Sequence, residues 1–113
     1  MLLLPEVEAL EREKDYLNLR FIVPETNRYF EGHFPDCPLL PGVVQVGWAI
    51  ELARLHIPLT GRFRSLVAVK FMRVIQPNAA ITLRLASDAT FRELSFEYRL
   101  GDEPCSGGRV LFH

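Results

Sequence analysis

Apolar and polar residues alternate along residues 16–23, YLNLRFIV. Because successive side chains of a strand point to opposite sides, this alternation predicts a β-strand with one buried face. Residues 6–13 are compatible with either a helix or a strand. We favour a short strand that turns near residues 13–15 into the next one.

The longest apolar segment covers residues 43–55 and contains no proline. Its apolar residues occupy nearly every side of a helical wheel, which is typical of a helix buried on all sides. Pro41 suits the first helical position, because the amide hydrogen that proline lacks would have no helical acceptor there. Pro58 ends the segment. We therefore predict one long buried helix over about residues 41–56. Trp48 and Phe71 are predicted to be core residues.

Four strand-like segments follow the helix, at residues 65–75, 80–86, 91–100 and 106–112. Strands that cluster after a single helix indicate an α+β fold with an antiparallel sheet, whereas alternating strands and helices would indicate a parallel one. One sheet wrapped around the helix is the simplest arrangement that covers it. We expect residues 1–113 to form a single domain.

Composition narrows the class of protein. The chain has 113 residues, 49% of them hydrophobic, and a formal net charge of −1, which gives no indication of nucleic-acid binding. Two cysteines do not suggest a disulfide framework and favour a reducing, cytoplasmic location. The N-terminus lacks the basic start of a signal peptide, and no apolar run approaches the roughly 20 residues of a membrane span.

Charge is unevenly distributed along the chain. Residues 1–51 carry nine acidic residues against four basic ones, whereas residues 52–87 carry six basic residues and no acidic one. The six are Arg54, Arg62, Arg64, Lys70, Arg73 and Arg84. They could form a solvated face with no further role. They could also form a docking surface for an acidic partner, because such charge distributions steer association.

The loop before the helix contains the most specific chemistry. His33 stands between Gly32 and Phe34, and the prolines at 35, 38 and 41 restrict the backbone around it. The imidazole therefore lies just ahead of a helix N-terminus, where free N–H groups and the helix dipole favour negative charge. A base beside such a site is what proton abstraction next to a carbonyl requires. Metal-ligand spacing, a phosphate-binding glycine loop and a G-x-S-x-G motif are all lacking in the sequence.

Residues 33–43, HFPDCPLLPGV, resemble the H-F-P-x-x-P-x-x-P-G-V signature of the hot-dog-fold β-hydroxyacyl-[acyl-carrier-protein] dehydratases of the FabA/FabZ type. Residues 69–77, VKFMRVIQP, are similar to that family's KF-x-x-P-V-x-P-G-D segment. Residues 106–110, SGGRV, are similar to its S-x-G-R strand. Within the family, residues 41–49 look closest to the ApeI-like dehydratases, which are associated with aryl polyene lipids.

The resemblance implies a hot-dog fold and a homodimer joined sheet to sheet, with active sites at the subunit interface. It implies a thioester substrate carried on the phosphopantetheine of an acidic acyl carrier protein, and no other cofactor or metal. His33 corresponds to the catalytic histidine. The backbone N–H of Gly42, with that of Val43, corresponds to the group that holds the thioester carbonyl. The further candidate substrate-binding residues are Phe34, Pro41, Gln45 and Gly47. Gln45 could instead form a hydrogen bond to the sheet.

Gly47 departs from the family pattern, which places an Asp or Glu at this position, fourteen residues after the histidine. Glu51 lies one helical turn further along the same face, and helical side chains lean toward the N-terminus. In apolar surroundings its protonated form would be favoured, so Glu51 could act as the general acid. Glu51 could instead cap a polar edge of the helix or pair with a neighbouring arginine. A third possibility is catalysis by His33 alone, with water as the proton source.

We therefore predict an enzyme that dehydrates (3R)-3-hydroxyacyl-[acyl carrier protein] to the trans-2-enoyl thioester, in fatty-acid or aryl-polyene-type lipid synthesis. One alternative is a non-catalytic hot-dog subunit that binds acyl thioesters or pairs with an active homologue as a heteromer, which Gly47 supports. A second is a hot-dog thioesterase in which Glu51 activates water, although retention of the whole His33 loop argues against it.

Overall fold

Six strands and one helix follow one another in the order β, β, α, β, β, β, β. The computed structural model describes residues 3–24 and 39–113. The elements are β1 (Ala9–Arg12), β2 (Leu17–Ile22), α1 (Gly42–His56), β3 (Phe63–Phe71), β4 (Ala80–Ser87), β5 (Glu93–Leu100) and β6 (Glu103–Phe112). The predicted order of elements is confirmed, including the strand nature of β1.

All strand pairs are antiparallel, and the six strands form one sheet in the order β1-β2-β4-β5-β6-β3. The inward-facing positions of β2 meet those of β4, as in the pair Leu19 and Leu83. This register places the apolar face of each strand on the same side of the sheet, where α1 packs. The α+β class and the antiparallel sheet around one helix are therefore confirmed.

The core lies between this sheet face and one side of α1. Trp48 is fully buried and meets the ring of Phe21 edge to face, with 5.8 Å between the ring centroids. The indole N–H of Trp48 donates a hydrogen bond to the carbonyl of Leu3, which attaches the N-terminal segment to the helix. Burial of each such large side chain contributes roughly 1.5–3 kcal/mol. The predicted core position of Trp48 is confirmed.

The described residues leave the opposite side of α1 exposed, so the prediction of a helix buried all round is wrong for this part of the chain. Val43 is 80% exposed and Leu55 is 66% exposed. Phe71, predicted to be a core residue, is 55% exposed at the end of β3. A single sheet covers one face of a helix, and an apolar pattern on all sides does not say whether the second face belongs to the same chain.

Strand β3 ends at Phe71, four residues before the predicted end, because the chain leaves the ladder there. The N–H groups of Met72 and Arg73 both donate to the carbonyl of Cys105. Within β3 the register with β6 shifts between Val67 and Lys70, and Ala68 has a positive φ of 54°. These are the marks of a β-bulge, which bends an edge strand.

Among the described residues, no helix is long and apolar enough to cross a membrane.

Candidate active site

The N-terminus of α1 is the centre of the candidate site. Pro41, predicted to occupy the first helical position, is instead the N-cap with an extended backbone, and the helix begins at Gly42. Within residues 3–24 and 39–113 no side chain caps this end, and the first turn contains no acidic residue. The N–H groups of Val44 and Gln45 both donate to the carbonyl of Pro41. Helix geometry leaves the N–H groups of Gly42 and Val43 without a helical acceptor, as an oxyanion site requires.

An apolar groove of about 420 Å³ opens beside these amides, between α1 and β3. Its surface is almost entirely carbon. The lining residues are Gly42, Val43, Val46, Gly47, Phe63, Leu66, Val69 and Phe71. Such a groove suits an aliphatic or aromatic chain rather than a polar ligand. It includes three of the predicted site residues, Gly42, Val43 and Gly47.

A second cavity of about 330 Å³ adjoins the groove at Gly42 and Phe71. It is lined by Leu39, Leu40, Gly42, Gln45, Phe71, Met72, Arg73 and Val74. Gly42 and Phe71 belong to both cavities. The N-terminus of α1 is therefore positioned where a ligand extending from one cavity into the other would pass.

Gln45 is buried and its carboxamide is bonded at both ends. Its Nε2 donates to the carbonyl of Leu40 at 3.0 Å, and its Oε1 accepts a hydrogen bond from Ser106 Oγ at 2.6 Å. Its backbone carbonyl accepts one from the Tyr98 hydroxyl at 2.6 Å. Burial raises the pKa of Tyr98 well above its ordinary value, so this hydroxyl stays a donor. The alternative in which Gln45 bonds to the sheet is confirmed, and its contact with substrate stays a prediction.

Gly47 and Glu51 differ in their surroundings. Gly47 lines the apolar groove, whereas Glu51 is exposed and is not among the described residues that line it. The expectation that Glu51 lies in apolar surroundings is therefore wrong for the single chain. Its role as general acid stays a prediction. His33 and Phe34 lie outside the described residues, so their roles stay predictions.

Three of the six basic side chains in residues 52–87 bond to other groups within the fold. The Arg54 guanidinium donates to the carbonyls of Leu59 and Gly61, so it holds the turn after α1. Arg84 bonds to Asn18, and Arg73 pairs with Glu103. The other three are exposed and make no ion pair within the described part of the chain: Arg62, Arg64 and Lys70. Of the predicted basic segment, these three are the residues that we would first expect an acidic partner to contact.

Residues 9–109 match the model of the ApeI-like family, described as ApeI dehydratase. This chain belongs to the ApeI-like dehydratase family. A solved relative is the dehydratase heterocomplex ApeI:P from Xenorhabdus doucetiae, with 30% identity and a TM-score of 0.85 over 95% of this chain and 96% of that one. An uncharacterized protein from Erwinia carotovora subsp. atroseptica is 28% identical, with a TM-score of 0.81 over 100% and 97% of the two chains.

This chain is also similar in sequence to dehydratases named FabZ. The 3-hydroxyacyl-[acyl-carrier-protein] dehydratase FabZ of Clostridium novyi is 29% identical over 92 residues, which cover 74% of this chain. The alignment spans 63% of that enzyme's length. The predicted family and hot-dog fold are thereby confirmed.

Within residues 3–24 and 39–113, no group of three His, Cys, Asp or Glu side chains could hold a metal ion.

Sequence reasoning missed Ser106 and Tyr98 as parts of the site. Ser106 belongs to the segment that resembles the family's S-x-G-R strand, and both residues alternate onto the buried face of their strands. Those signals indicate burial, but they do not indicate that both side chains bond to Gln45.

Proposed function

We propose that this chain, alone or with a similar subunit, dehydrates (3R)-3-hydroxyacyl-[acyl carrier protein] to the trans-2-enoyl thioester. The observation that carries the proposal is the uncapped N-terminus of α1 at Gly42, located between an apolar groove and a second cavity. Membership of a dehydratase family supports the same reaction. The pathway we favour is fatty-acid or aryl-polyene-type lipid synthesis in the cytoplasm.

In the proposed mechanism His33 removes the proton from the carbon next to the thioester carbonyl. Negative charge develops on the carbonyl oxygen, where the N–H groups of Gly42 and Val43 stabilise it. The bond between the neighbouring carbon and the 3-hydroxyl then breaks as Glu51 or a water molecule protonates the departing oxygen. The products are the enoyl thioester and water. Loss of one donor in such an oxyanion site typically costs about 10²–10³-fold in kcat.

The substrate would be divided between the two cavities. The carbon-lined groove between α1 and β3 suits the acyl chain, whether alkyl or aryl. The thioester and its phosphopantetheine would pass the N-terminus of α1. The exposed Arg62, Arg64 and Lys70 suit an acidic carrier protein, because opposite charges raise the rate of encounter.

The uncovered face of α1 and the outer edge of β3 suit a second subunit of similar fold. Among the described strands β3 pairs only with β6, so one edge carries backbone groups available for pairing. Phe63 and Leu66 expose apolar surface beside it. A second copy would bring the same glycine at position 47, whereas a similar but different subunit could bring a carboxylate. The heterocomplex named for the Xenorhabdus relative supports the latter.

The test is a purified-protein assay with a 3-hydroxyacyl thioester, in which enoyl product, free thiol and unreacted substrate are measured together. We expect enoyl product from the chain alone or after co-expression with a similar subunit. His33→Ala should abolish it. Glu51→Gln should lower turnover if Glu51 is the acid, and the matched control Glu6→Gln, which removes another exposed carboxylate, should not. Free thiol as the product would overturn the proposal in favour of a thioesterase. No product under either condition would indicate a binding subunit.

A further inference from the structure

We propose that Gln45 is a positioning residue that holds the N-terminus of α1, and with it the backbone N–H of Gly42, in place for the substrate carbonyl. The nature of the ligand rests on the proposed function. The positioning itself rests on five hydrogen bonds around Gln45 and Leu40.

Leu40 is held through both of its backbone polar groups. Its N–H donates to the carbonyl of Ile75 at 2.7 Å, and its carbonyl accepts from Gln45 Nε2 at 3.0 Å. Between Leu40 and Gly42 stands only Pro41, whose ring fixes φ. Few backbone torsions therefore remain between this clamp and the amide of Gly42.

Chemistry fixes the orientation of the Gln45 carboxamide. The Leu40 carbonyl can only accept a hydrogen bond, so it requires the NH₂ end of the amide. The Ser106 hydroxyl can then donate to Oε1, as the 2.6 Å contact shows. A reversed carboxamide would place two carbonyl oxygens against each other. Ser106 is fully buried on β6, so it anchors the carboxamide to a rigid strand.

A second anchor reaches the same turn from β5. The Tyr98 hydroxyl donates to the backbone carbonyl of Gln45, and the N–H of Gln45 donates to the carbonyl of Pro41. Because no described side chain caps α1, these contacts fix its first turn. The turn is thus tied to β5, β6 and the segment after β3, and helix geometry leaves the N–H groups of Gly42 and Val43 without a helical acceptor.

A purely structural role would not require an amide at this position. A leucine could occupy a similar volume in the core, whereas a buried amide is unfavourable unless its polar atoms are bonded. The amide is needed to bond to the Leu40 carbonyl, two residues before Gly42. Gln45 also lines the cavity next to Gly42, so any shift of its side chain would act directly on the site.

The test compares Gln45→Leu, Gln45→Glu and Ser106→Ala with the control Asn18→Leu. Asn18 is a similarly buried amide, 9% exposed, but it bonds to Arg84 on the sheet face away from α1. For each protein we would measure thermal unfolding, kcat and KM separately, and the NMR order parameters of the Gly42 and Val43 N–H groups without substrate. Order parameters do not depend on activity.

Gln45→Leu should lower kcat by about tenfold to a hundredfold with a smaller change in KM, since misplacement of a binding group by about 1 Å has effects of that size. The order parameters of Gly42 and Val43 should fall from about 0.85 toward 0.6. Ser106→Ala should have a smaller effect, because the bond to Leu40 remains. Gln45→Glu should have a larger effect than Ser106→Ala, because a carboxylate would face the Leu40 carbonyl. Asn18→Leu should leave kcat and both order parameters unchanged.

Unchanged order parameters at Gly42 in Gln45→Leu would overturn the proposal. So would equal losses of kcat in Gln45→Leu and Asn18→Leu. If Gln45→Leu does not fold, the losses of kcat in Ser106→Ala and Gln45→Glu are compared instead. A larger loss in Ser106→Ala than in Gln45→Glu would overturn the proposal. If the unmodified protein has no dehydratase activity, the proposed function fails, and the order parameters still decide whether Gln45 positions Gly42.

Discussion

The aromatic ring of Phe71 packs directly against Gly42, so closely that a Cβ on Gly42 would lie 2.6 Å from the ring's Cζ. Real Cβ atoms essentially never come this close to another atom, so any larger residue at position 42 would have to displace the Phe71 ring. Phe71 is more than half exposed and lines both cavities. Because it is largely exposed, the ring has room to move beside the proposed oxyanion site.

Gly42→Ala should displace this ring while leaving the fold intact. Alanine suits the first turn of a helix, and the ring can swing toward solvent, so the free energy of unfolding should change by less than about 1 kcal/mol. The displaced ring would enlarge one cavity at the cost of the other, and kcat/KM should fall by at least about tenfold. Steady-state kinetics and thermal unfolding check both statements.

The double variant Gly42→Ala/Phe71→Ala is the matched control, because it removes the ring that the new methyl group meets. It should fold as well as Phe71→Ala alone and should show no further loss from the alanine at 42. A full additive loss in the double variant would mean that the two residues act independently.

Leu66→Lys should prevent association with a second subunit without unfolding the chain. Leu66 is 43% exposed on the edge strand β3, where a charge opposes both apolar contact and strand pairing. The control is Leu10→Lys on the other edge strand, at a residue that is 40% exposed. Light scattering coupled to size exclusion should give a smaller mass for Leu66→Lys only. An equal effect of both variants would argue against an interface at β3.

Gly108→Ala should destabilise the sheet, because the bulge in β3 brings Val69 directly over this residue. An added Cβ would lie 2.8 Å from Val69 Cγ2 and 3.0 Å from its Cα. Backbone cannot move aside as a side chain can, so we expect a loss of about 1–3 kcal/mol in the free energy of unfolding. Gly101→Asn is the control. Nothing lies within 4 Å of a Cβ there, and asparagine tolerates the positive φ of 60°. Chemical denaturation measures both.

Asp88 should make stability depend on pH in the acid range. Its carboxylate accepts hydrogen bonds from the Thr90 hydroxyl and from the N–H groups of Arg92 and Glu93. The bond from Thr90, helped by those from the backbone, lowers the pKa of Asp88 below its ordinary value of 3.8. A depressed pKa in the folded state stabilises the protein above that ordinary value, and the contribution is lost as pH falls through the lower folded value.

Asp88→Asn should therefore be less stable than the unmodified protein near neutral pH, and the difference should shrink as pH falls below 3.8. Asp15→Asn provides the comparison, because Asp15 is an exposed carboxylate in another turn without these bonds in the described residues. Thermal unfolding across this range is the measurement. A gap that stays constant with pH would contradict the assignment.

Much of the fold could be predicted because strand patterns are local. The alternation around Leu19 and the run that contains Trp48 indicated strand and helix correctly, and the order of elements indicated the antiparallel sheet. The exact ends could not be predicted, because β3 stops where Met72 and Arg73 bond to Cys105, a contact between distant parts of the chain. The exposed face of α1 was missed because an apolar residue has the same pattern whether its own chain or another molecule covers it.

The sequence by itself determined the family, the order of helix and strands along the chain and the position of Gly42 at a helix start, since these depend on residue types at short spacing. Only the tertiary structure decided how Gly42 is surrounded. The partners of Gln45 on β5 and β6 are 53 and 61 residues away from it, and no local pattern records such pairs. The same holds for Phe71 against Gly42 and for the exposure of Glu51, because each depends on how the sheet and helix pack rather than on their sequences taken separately.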